Sequence, residues 1–299
     1  MITILGPTAS GKTHLAVHLA RHLQGEVISA DSRQVYRGMD IGTGKDLSEY
    51  EIDGLCIPYH LIDIAEPGSE YNVFQFQKDF LEVYSQILER NSLPILCGGT
   101  GMYLESVLKG YRMLEVPEDK TLRSKMALKS DDELSVWLCE LRSVHNTTDI
   151  LDRRRLERAI EIETFQQAHR EEMNDFPKIK NTIFGIRWER ETLKKRITER
   201  LRARLEQGMV EEVEGLLAKG LTPEQLKFYG LEYKLITQYV KGELNRNDMF
   251  QKLNTAIHQF AKRQMTWFRK MEREGREIVW LEGEWSEEEK MKRVIRTIS

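Results

Sequence analysis

Short apolar runs recur along the first hundred residues of the chain. Ile2–Leu5 is β-branched and apolar and ends at Gly6, and a helical pattern begins near Lys12. Further runs of the same character lie at residues 27–30, 60–64 and 93–97. Short apolar runs bounded by turn residues predict buried strands.

The segment between the last two of these runs has a different period. Its apolar residues recur about every 3.6 positions, which predicts an amphipathic helix over residues 73–88. Strands that alternate with helices predict an α/β fold, with a parallel sheet and helices on both faces. In such sheets ligands bind at the carboxyl ends of the strands. We therefore expect residues 6–13, Asp31 and residues 98–100 to share one edge of the sheet.

The pattern changes after Gly110. Residues 117–177 contain no strand-like run and have a charged, helical pattern. Residues 182–188 and 277–280 have the pattern of strands that return to the sheet, and residues 191–271 are mostly helical. We predict a core formed by residues 1–112 and 178–299, and an all-helical insertion domain of residues 113–177.

Composition and charge narrow the class of protein. Of the 299 residues 40% are apolar and 31% are charged, which is typical of a folded globular protein. The net charge of −3 means that nucleic-acid binding would need a local basic surface. The three cysteines form no CxxC pair, so neither a disulfide framework nor a zinc knuckle is indicated. With no membrane-length apolar run and no signal peptide, we expect a cytoplasmic protein without a membrane partner.

Residues 6–13 match the phosphate-binding pattern G-x-x-x-x-G-K-[ST]. In this motif backbone N–H groups surround a phosphate, the lysine adds positive charge, and the hydroxyl of Thr13 is placed to bind Mg²⁺. The position between a predicted strand and a predicted helix supports a phosphate site, but it does not identify the molecule. The candidate diphosphate or nucleotide ligands are Gly6, Pro7, Thr8, Ala9, Ser10, Gly11, Lys12 and Thr13.

Polar residues elsewhere permit more than one interpretation. Asp31 follows a predicted strand and could bind Mg²⁺, act as a general base or cap a turn, and from its position alone capping is favoured. Thr100 could bind a phosphate or cap a helix. His14, His18 and His22 recur at intervals of four residues, which suits a metal ion. No further ligand lies near them in sequence, so we expect a solvated helix face.

Five blocks of the sequence together resemble the tRNA dimethylallyltransferases, or IPP transferases. In the family's order they are GPTASGKT at residues 6–13, DSRQVYRGMDIGTGK at 31–45, GGTGMY at 98–103, RLERAIE at 155–161 and AKRQMTWF at 261–268. The blocks span nearly the whole chain. The resemblance implies a P-loop NTPase-like parallel sheet flanked by helices, with an all-helical insertion. No zinc finger follows Trp280, which indicates the bacterial-length form.

The resemblance implies transfer of a dimethylallyl group from dimethylallyl diphosphate to the N6 amine of the adenosine 3′ to the anticodon, in tRNAs that read codons starting with U. The P-loop would hold the diphosphate, with Mg²⁺ on Thr13. Asp31 would accept the proton of the amine, and Thr100 and Arg200 would hold the diphosphate. The expected macromolecular partner is the anticodon stem-loop, and the protein would be a monomer. The implied tRNA contacts are Asp31, Ser32, Arg33, Gln34, Thr100, Arg123, Arg154, Arg155, Leu156, Glu157 and Arg158.

The chain departs from the family pattern at a few positions. Glu232 stands where a basic tRNA contact is expected, and Gly44 and Asp46 replace a small residue and a proline. Three alternatives remain open: an adenylate isopentenyltransferase acting on free nucleotide, a P-loop small-molecule kinase that binds ATP, and an RNA-binding module without activity, for which Glu232 is the only hint. The arginine cluster at residues 153–158 favours tRNA, because a mononucleotide needs no second basic surface.

Overall fold

The computed structural model describes residues 1–141, 152–172 and 175–298. The chain divides into two compact units, one formed by Met1–Lys109 with Ile179–Ser299 and the other by Gly110–Lys178. The larger unit therefore combines the two ends of the chain, and the smaller unit is inserted between them in sequence.

A parallel sheet of six strands forms the centre of the larger unit. The strands of the described residues are, in chain order, β1 (Ile2–Leu5), β2 (Gly25–Ala30), β3 (Glu51–Ile52), β4 (Leu55–Cys56), β5 (Tyr59–His60), β6 (Leu93–Gly98), β7 (Thr182–Arg187) and β8 (Ile278–Glu282). The sheet has the order β5-β2-β6-β1-β7-β8 with parallel pairing throughout, and β3 and β4 form a separate antiparallel hairpin. The predicted parallel sheet is confirmed.

The strand predicted at residues 60–64 is wrong beyond His60. Leu61 and Asp63 have positive φ angles of 61° and 55°, so the chain turns away from the sheet. The cause is a set of contacts with the loop after β2. The N–H of Asp63 donates to the carbonyl of Gln34 at 3.1 Å, and its carboxylate pairs with the buried Lys45. The local apolar pattern carries no information about these partners.

Helices surround the sheet and form a second core. In chain order they are α1 (Lys12–Leu23), α2 (Val73–Glu89), α3 (Gly101–Leu108), α4 (Lys120–Ala127), α5 (Asp131–Leu141), α6 (Arg153–Ala168), α7 (Arg190–Glu206), α8 (Met209–Ala218), α9 (Pro223–Phe228), α10 (Leu231–Val240), α11 (Arg246–Arg273) and α12 (Glu287–Ile298). One core cluster joins the sheet to α1 and includes Ile4, Leu15 and Phe184. A second joins α7, α8, α10 and α11 to Val35 and Met39 in the loop after β2.

The smaller unit contains helices and no strand in its described residues. Helices α4, α5 and α6 pack around Met126, Leu134, Leu138 and Ile160, which are fully buried. The side chain of Asp152 caps α6 by accepting from the N–H of Arg155. Among the described residues of the whole chain, no helix is long and apolar enough to cross a membrane.

Candidate functional site

The loop between β1 and α1 has the backbone geometry of an anion site. Gly11 lies at φ 85°, in the left-handed region that favours glycine, and Ala9 lies at φ 61°. The N–H of Ser10 donates to the carbonyl of Pro7 at 3.2 Å, which closes the turn. No side chain caps the start of α1. The N–H groups of its first turn therefore remain free to bind an anion, and the helix dipole adds positive potential there.

Side chains of the same loop also lack partners that a bound anion would provide. Burial lowers the pKa of Lys12, and nearby Arg200 lowers it further, although Asp31 opposes this. The hydroxyl of Ser10 is buried without a hydrogen-bond partner in the described part of the chain. A bound phosphate would supply the charge and the acceptors that these groups lack. The hydroxyl of Thr13 and the carboxylate of Asp31 line one cleft, and hard oxygen ligands of this kind fit Mg²⁺.

A large open cleft lies at the carboxyl ends of β1, β2 and β6. Its cavity volume is about 350 Å³, which lies in the range of small-molecule sites. Because β6 lies between β1 and β2, the loops after these strands meet there. Residues 9–13 and Arg200 also line an adjoining cleft of about 290 Å³. The sequence-predicted residues along the larger cleft are Thr8, Lys12, Thr13, Asp31, Ser32, Arg33, Gln34, Thr100 and Arg200.

Asp31 and Thr100 are held by hydrogen bonds to the turn after β2. Asp31 Oδ1 accepts from the N–H of Arg33 at 3.0 Å, so Asp31 does cap this turn. Its Oδ2 has no hydrogen-bond partner within the described residues. Thr100 occupies the N-cap position of α3 without capping it. Its hydroxyl instead accepts from the N–H of Ser32 at 3.0 Å, which fixes the two strand-end loops side by side.

Arg200 reaches the phosphate loop from α7. Its Nη1 lies 3.4 Å from the hydroxyl of Thr8, and its Nη2 donates to the carboxylate of Asp46. Arg204 also donates to Asp46, at 3.1 Å. Burial raises the pKa of Asp46, but the two arginines more than offset this, so the pKa lies below its usual value. Asp46 thus holds two guanidinium groups beside the P-loop.

Gln264 belongs to the site although its sequence position did not predict this. Its side chain is only 7% exposed on the apolar face of α11, close in sequence to the buried Ala261 and Phe268. Gln264 Oε1 accepts from the N–H of Thr8 at 2.8 Å, and Nε2 donates to the carbonyl of Gly99 at 2.9 Å. It therefore joins the loops after β1 and β6. A buried polar residue within an apolar stripe was the available signal.

Glu232 faces an arginine within the cleft. Arg33 Nη1 donates to Glu232 Oε2 at 3.0 Å, and the guanidinium lies 5.3 Å from the centre of the Phe260 ring. Arg33, Glu232 and Phe260 all line the cleft. The unexpected acid is therefore neutralised by a basic residue from the loop after β2.

The arginines predicted to contact tRNA in the smaller unit differ in their surroundings. Arg123 and Arg158 both pair with the buried carboxylate of Glu161, at 2.7 and 3.0 Å. Leu156 is fully buried in the core of the unit, so its side chain packs against α4 and α5 and does not meet a ligand. The tRNA contact implied for Leu156 stays a prediction, and its apolar side chain on the inner face of α6 leaves only the backbone for it.

The first turn of α6 keeps its basic character. Arg154 and Arg155 are exposed. Glu157 pairs with Arg153 at 2.9 Å, as the spacing of four residues along a helix allows. Arg154 and Arg155 are the members of the predicted set whose guanidinium groups are most open to a phosphate backbone.

Comparisons with known proteins give a consistent result. A family model described as IPP transferase matches residues 34–271, and one described as isopentenyl transferase matches residues 1–57. The tRNA dimethylallyltransferase 1 of Geotalea uraniireducens is 59% identical over 285 residues, which cover 95% of this chain and 93% of that protein. The tRNA dimethylallyltransferase 2 of Bacteroides fragilis is 55% identical over 291 residues, covering 97% and 95%.

Solved structures share the fold. The full-length tRNA isopentenylpyrophosphate transferase of Bacillus halodurans superposes with a TM-score of 0.71 at 31% identity, covering 99% of this chain and 94% of that one. A eukaryotic dimethylallyltransferase that acts on tRNA superposes with a TM-score of 0.77 at 24% identity, covering 95% and 73%. The second likeness supports the fold alone.

Proposed function

The chain belongs to the IPP transferase family, and on that premise we propose that it transfers a dimethylallyl group from dimethylallyl diphosphate to the N6 amine of the adenosine 3′ to the anticodon, in tRNAs that read codons starting with U. The observation that carries the proposal is the shared cleft, in which a phosphate-binding loop with Lys12 and a carboxylate, Asp31, line one space. Such a cleft serves a reaction in which a diphosphate leaves while a nucleophile loses a proton.

The phosphate loop binds the departing diphosphate. As the allylic carbon–oxygen bond breaks, its electron pair moves onto the diphosphate, so negative charge grows beside the N–H groups of α1, Lys12 and Arg200. Donors placed in advance around a developing charge stabilise the transition state without reorganisation. When bound at Thr13, Mg²⁺ would supply further charge neutralisation at the same oxygens.

Asp31 accepts the proton of the attacking amine. The lone pair of an exocyclic adenine amine is delocalised into the ring, so removal of a proton as the nitrogen–carbon bond forms aids the reaction. A positioned general base typically contributes about 10²–10⁴-fold. Asp31 is suited to this because it lines the cleft and the N–H of Arg33 fixes one of its two oxygens. The products are N6-dimethylallyladenosine, diphosphate and the proton on Asp31, which passes to solvent.

The tRNA presents its adenosine from a single-stranded loop. An unstacked base reaches an enclosed site at low cost, because little pairing must be broken. Arg154 and Arg155 offer exposed charge for the phosphate backbone of the stem-loop. We also expect a monomer, to be tested by light scattering against the chain mass of 35.0 kDa.

A transfer assay separates this function from its alternatives. Labelled dimethylallyl diphosphate and Mg²⁺ are incubated with an anticodon stem-loop, and with AMP in a parallel reaction. We expect label in the stem-loop, with the matching stem-loop that carries guanosine at the target position as a control. Label in AMP alone would identify an adenylate isopentenyltransferase. Consumption of ATP without prenyl transfer would identify a kinase.

The role of Asp31 is tested by Asp31→Asn. We expect turnover to fall at least about a hundredfold while dimethylallyl diphosphate still binds, because the amide cannot accept the proton. Asp53→Asn makes the same chemical change at an exposed turn between β3 and β4 and serves as the matched control. Wild-type turnover of Asp31→Asn would remove this carboxylate from the mechanism.

A further inference from the structure

Two histidines and a glutamate form a cluster away from the cleft. His14 Nε2 lies 2.6 Å from Glu287 Oε2, and His18 Nδ1 lies 2.6 Å from Glu287 Oε1. One ligand atom of each residue lies within 4.8 Å of the other two. The two imidazole rings are 4.4 Å apart. The side chains therefore converge on one point, which the expectation of a solvated helix face did not include.

The backbone holds this cluster in place. His14 and His18 are four residues apart on α1 and share one face of that helix. Glu287 begins α12, whose Val294 is fully buried in the same core cluster as Leu15 and Leu19 of α1. Because the two helices pack together, the fold itself places the Glu287 carboxylate beside the two histidines.

We propose that His14, His18 and Glu287 bind a transition-metal ion, with Zn²⁺ as the best fit and an open fourth position for water. Two imidazoles with one carboxylate are a ligand set that zinc accepts, and side-chain exposures of 28% to 52% leave a path for entry. Mg²⁺ prefers an all-oxygen site, so this cluster does not compete for the ion expected at Thr13.

The ligand atoms are close enough to meet at one ion after the side chains rotate. Zinc lies about 2.0–2.1 Å from nitrogen and oxygen ligands, which places tetrahedral ligand atoms about 3.3 Å apart. The two nitrogens now contact different oxygens of Glu287, so rotation of this side chain would have to bring one oxygen to about 3.3 Å from both nitrogens. The metal then replaces the protons that bridge these pairs and connects α1, which follows the phosphate loop, to the C-terminal helix α12.

The proposal is tested by titrating the full, tag-free chain with Zn²⁺ after removal of metals, in millimolar Mg²⁺. We expect one Zn²⁺ per chain and a rise in the thermal unfolding midpoint, because an ion bound to the folded state stabilises it. Co²⁺ in place of Zn²⁺ should give the intense visible absorption of a tetrahedral site.

Variants decide which residues hold the metal. Removing a residue that only hydrogen-bonds to a metal ligand already lowers metal affinity about 10–100-fold. Removing a ligand should cost at least as much, so we expect His18→Gln and Glu287→Gln to weaken Zn²⁺ binding at least about tenfold. His22→Gln, one turn further along α1 and exposed, should bind as the wild type does. Unfolding without metal checks that each variant folds. Equal Zn²⁺ affinity in wild type and His18→Gln, or no binding to either, would overturn the proposal.

Discussion

Gln264 offers a sharp test of how the cleft is held together. Its amide is the link between the N–H of Thr8, in the phosphate loop, and the carbonyl of Gly99, in the loop that carries Thr100. Gln264→Ala would leave both backbone groups without a partner at a position that is 7% exposed. The substitution therefore disturbs two loops of the cleft, including the Thr8 N–H of the phosphate loop, without replacing a residue to which we assign a step of the reaction.

The expected loss of stability follows from the two backbone groups that lose their hydrogen-bond partner. A buried donor or acceptor that loses its partner costs about 1–3 kcal/mol, and water entering the vacated space would recover part of the sum. We expect Gln264→Ala to lose about 3 kcal/mol of unfolding free energy, or roughly 6–12 °C in the midpoint for a chain of this size. Affinity for dimethylallyl diphosphate should also fall, since Thr8 is no longer fixed.

Gln264→Glu tests the hydrogen bond to Gly99 through the pH dependence of the free energy of unfolding. A carboxylate can accept from Thr8 but has no proton for the carbonyl of Gly99, whereas a protonated carboxyl can satisfy both. The pKa of the introduced group is therefore raised in the folded state. Its stabilising contribution is present below the unfolded value of about 4.3 and is lost as the pH rises through the folded value. The loss of unfolding free energy relative to the wild type should therefore be smaller at pH 5 than at pH 8.

Urea unfolding at the two pH values measures these effects, together with binding of the donor. Gln251→Ala, exposed on the same helix, is the matched control and should stay within about 0.5 kcal/mol of the wild type. A deficit for Gln264→Ala below that limit would show that the two hydrogen bonds do not support the loops. A pH-independent deficit for Gln264→Glu would refute the pairing with Gly99.

Two buried carboxylates lead to further predictions. The hydrogen bond from Arg90 lowers the pKa of Glu26 to about 2, so its stabilising contribution is present above pH 4.3 and is lost as the pH falls towards 2. Glu26→Gln should lower the free energy of unfolding by about 2 kcal/mol at pH 7. Its free energy of unfolding, followed by circular dichroism, should also fall less steeply than that of the wild type as the pH is lowered. In the smaller unit, Glu161→Gln should cost about 2 kcal/mol, because Arg123 and Arg158 lose their shared partner. Faster hydrogen exchange confined to α4 and α6 would reveal this, and unchanged exchange would contradict it.

The fold was predictable where local patterns act alone. Ile2–Leu5 and Thr182–Arg187 are apolar enough to indicate buried strands of a parallel sheet, and the capping box at Asn72 explains why α2 begins where its periodicity does. Residues 61–64 were not predictable, because their conformation depends on Lys45 and on the loop after β2. A short apolar run does not reveal a distant ion pair.

The site was predictable where a motif fixes a backbone shape. The spacing of Gly6 and Lys12 specifies a phosphate loop without any knowledge of the rest of the chain. Gln264 and Glu287 were missed because each has a partner more than 250 residues away in sequence. The periodicity of α1 located His14 and His18, but only the packing of α12 on α1 brings Glu287 to them.

The two acidic departures from the family pattern share one electrostatic explanation. Arg33, Arg200 and Arg204 all line the cleft, where their positive charges would repel one another if they were left unpaired. Asp46 pairs with Arg200 and Arg204, and Glu232 pairs with Arg33. Each acid therefore accompanies an arginine that remains beside the cleft. Glu232 alone suggested that a basic tRNA contact, and with it the activity, had been lost. Because Arg33 provides a guanidinium at the same place, Glu232 no longer favours an inactive RNA-binding module.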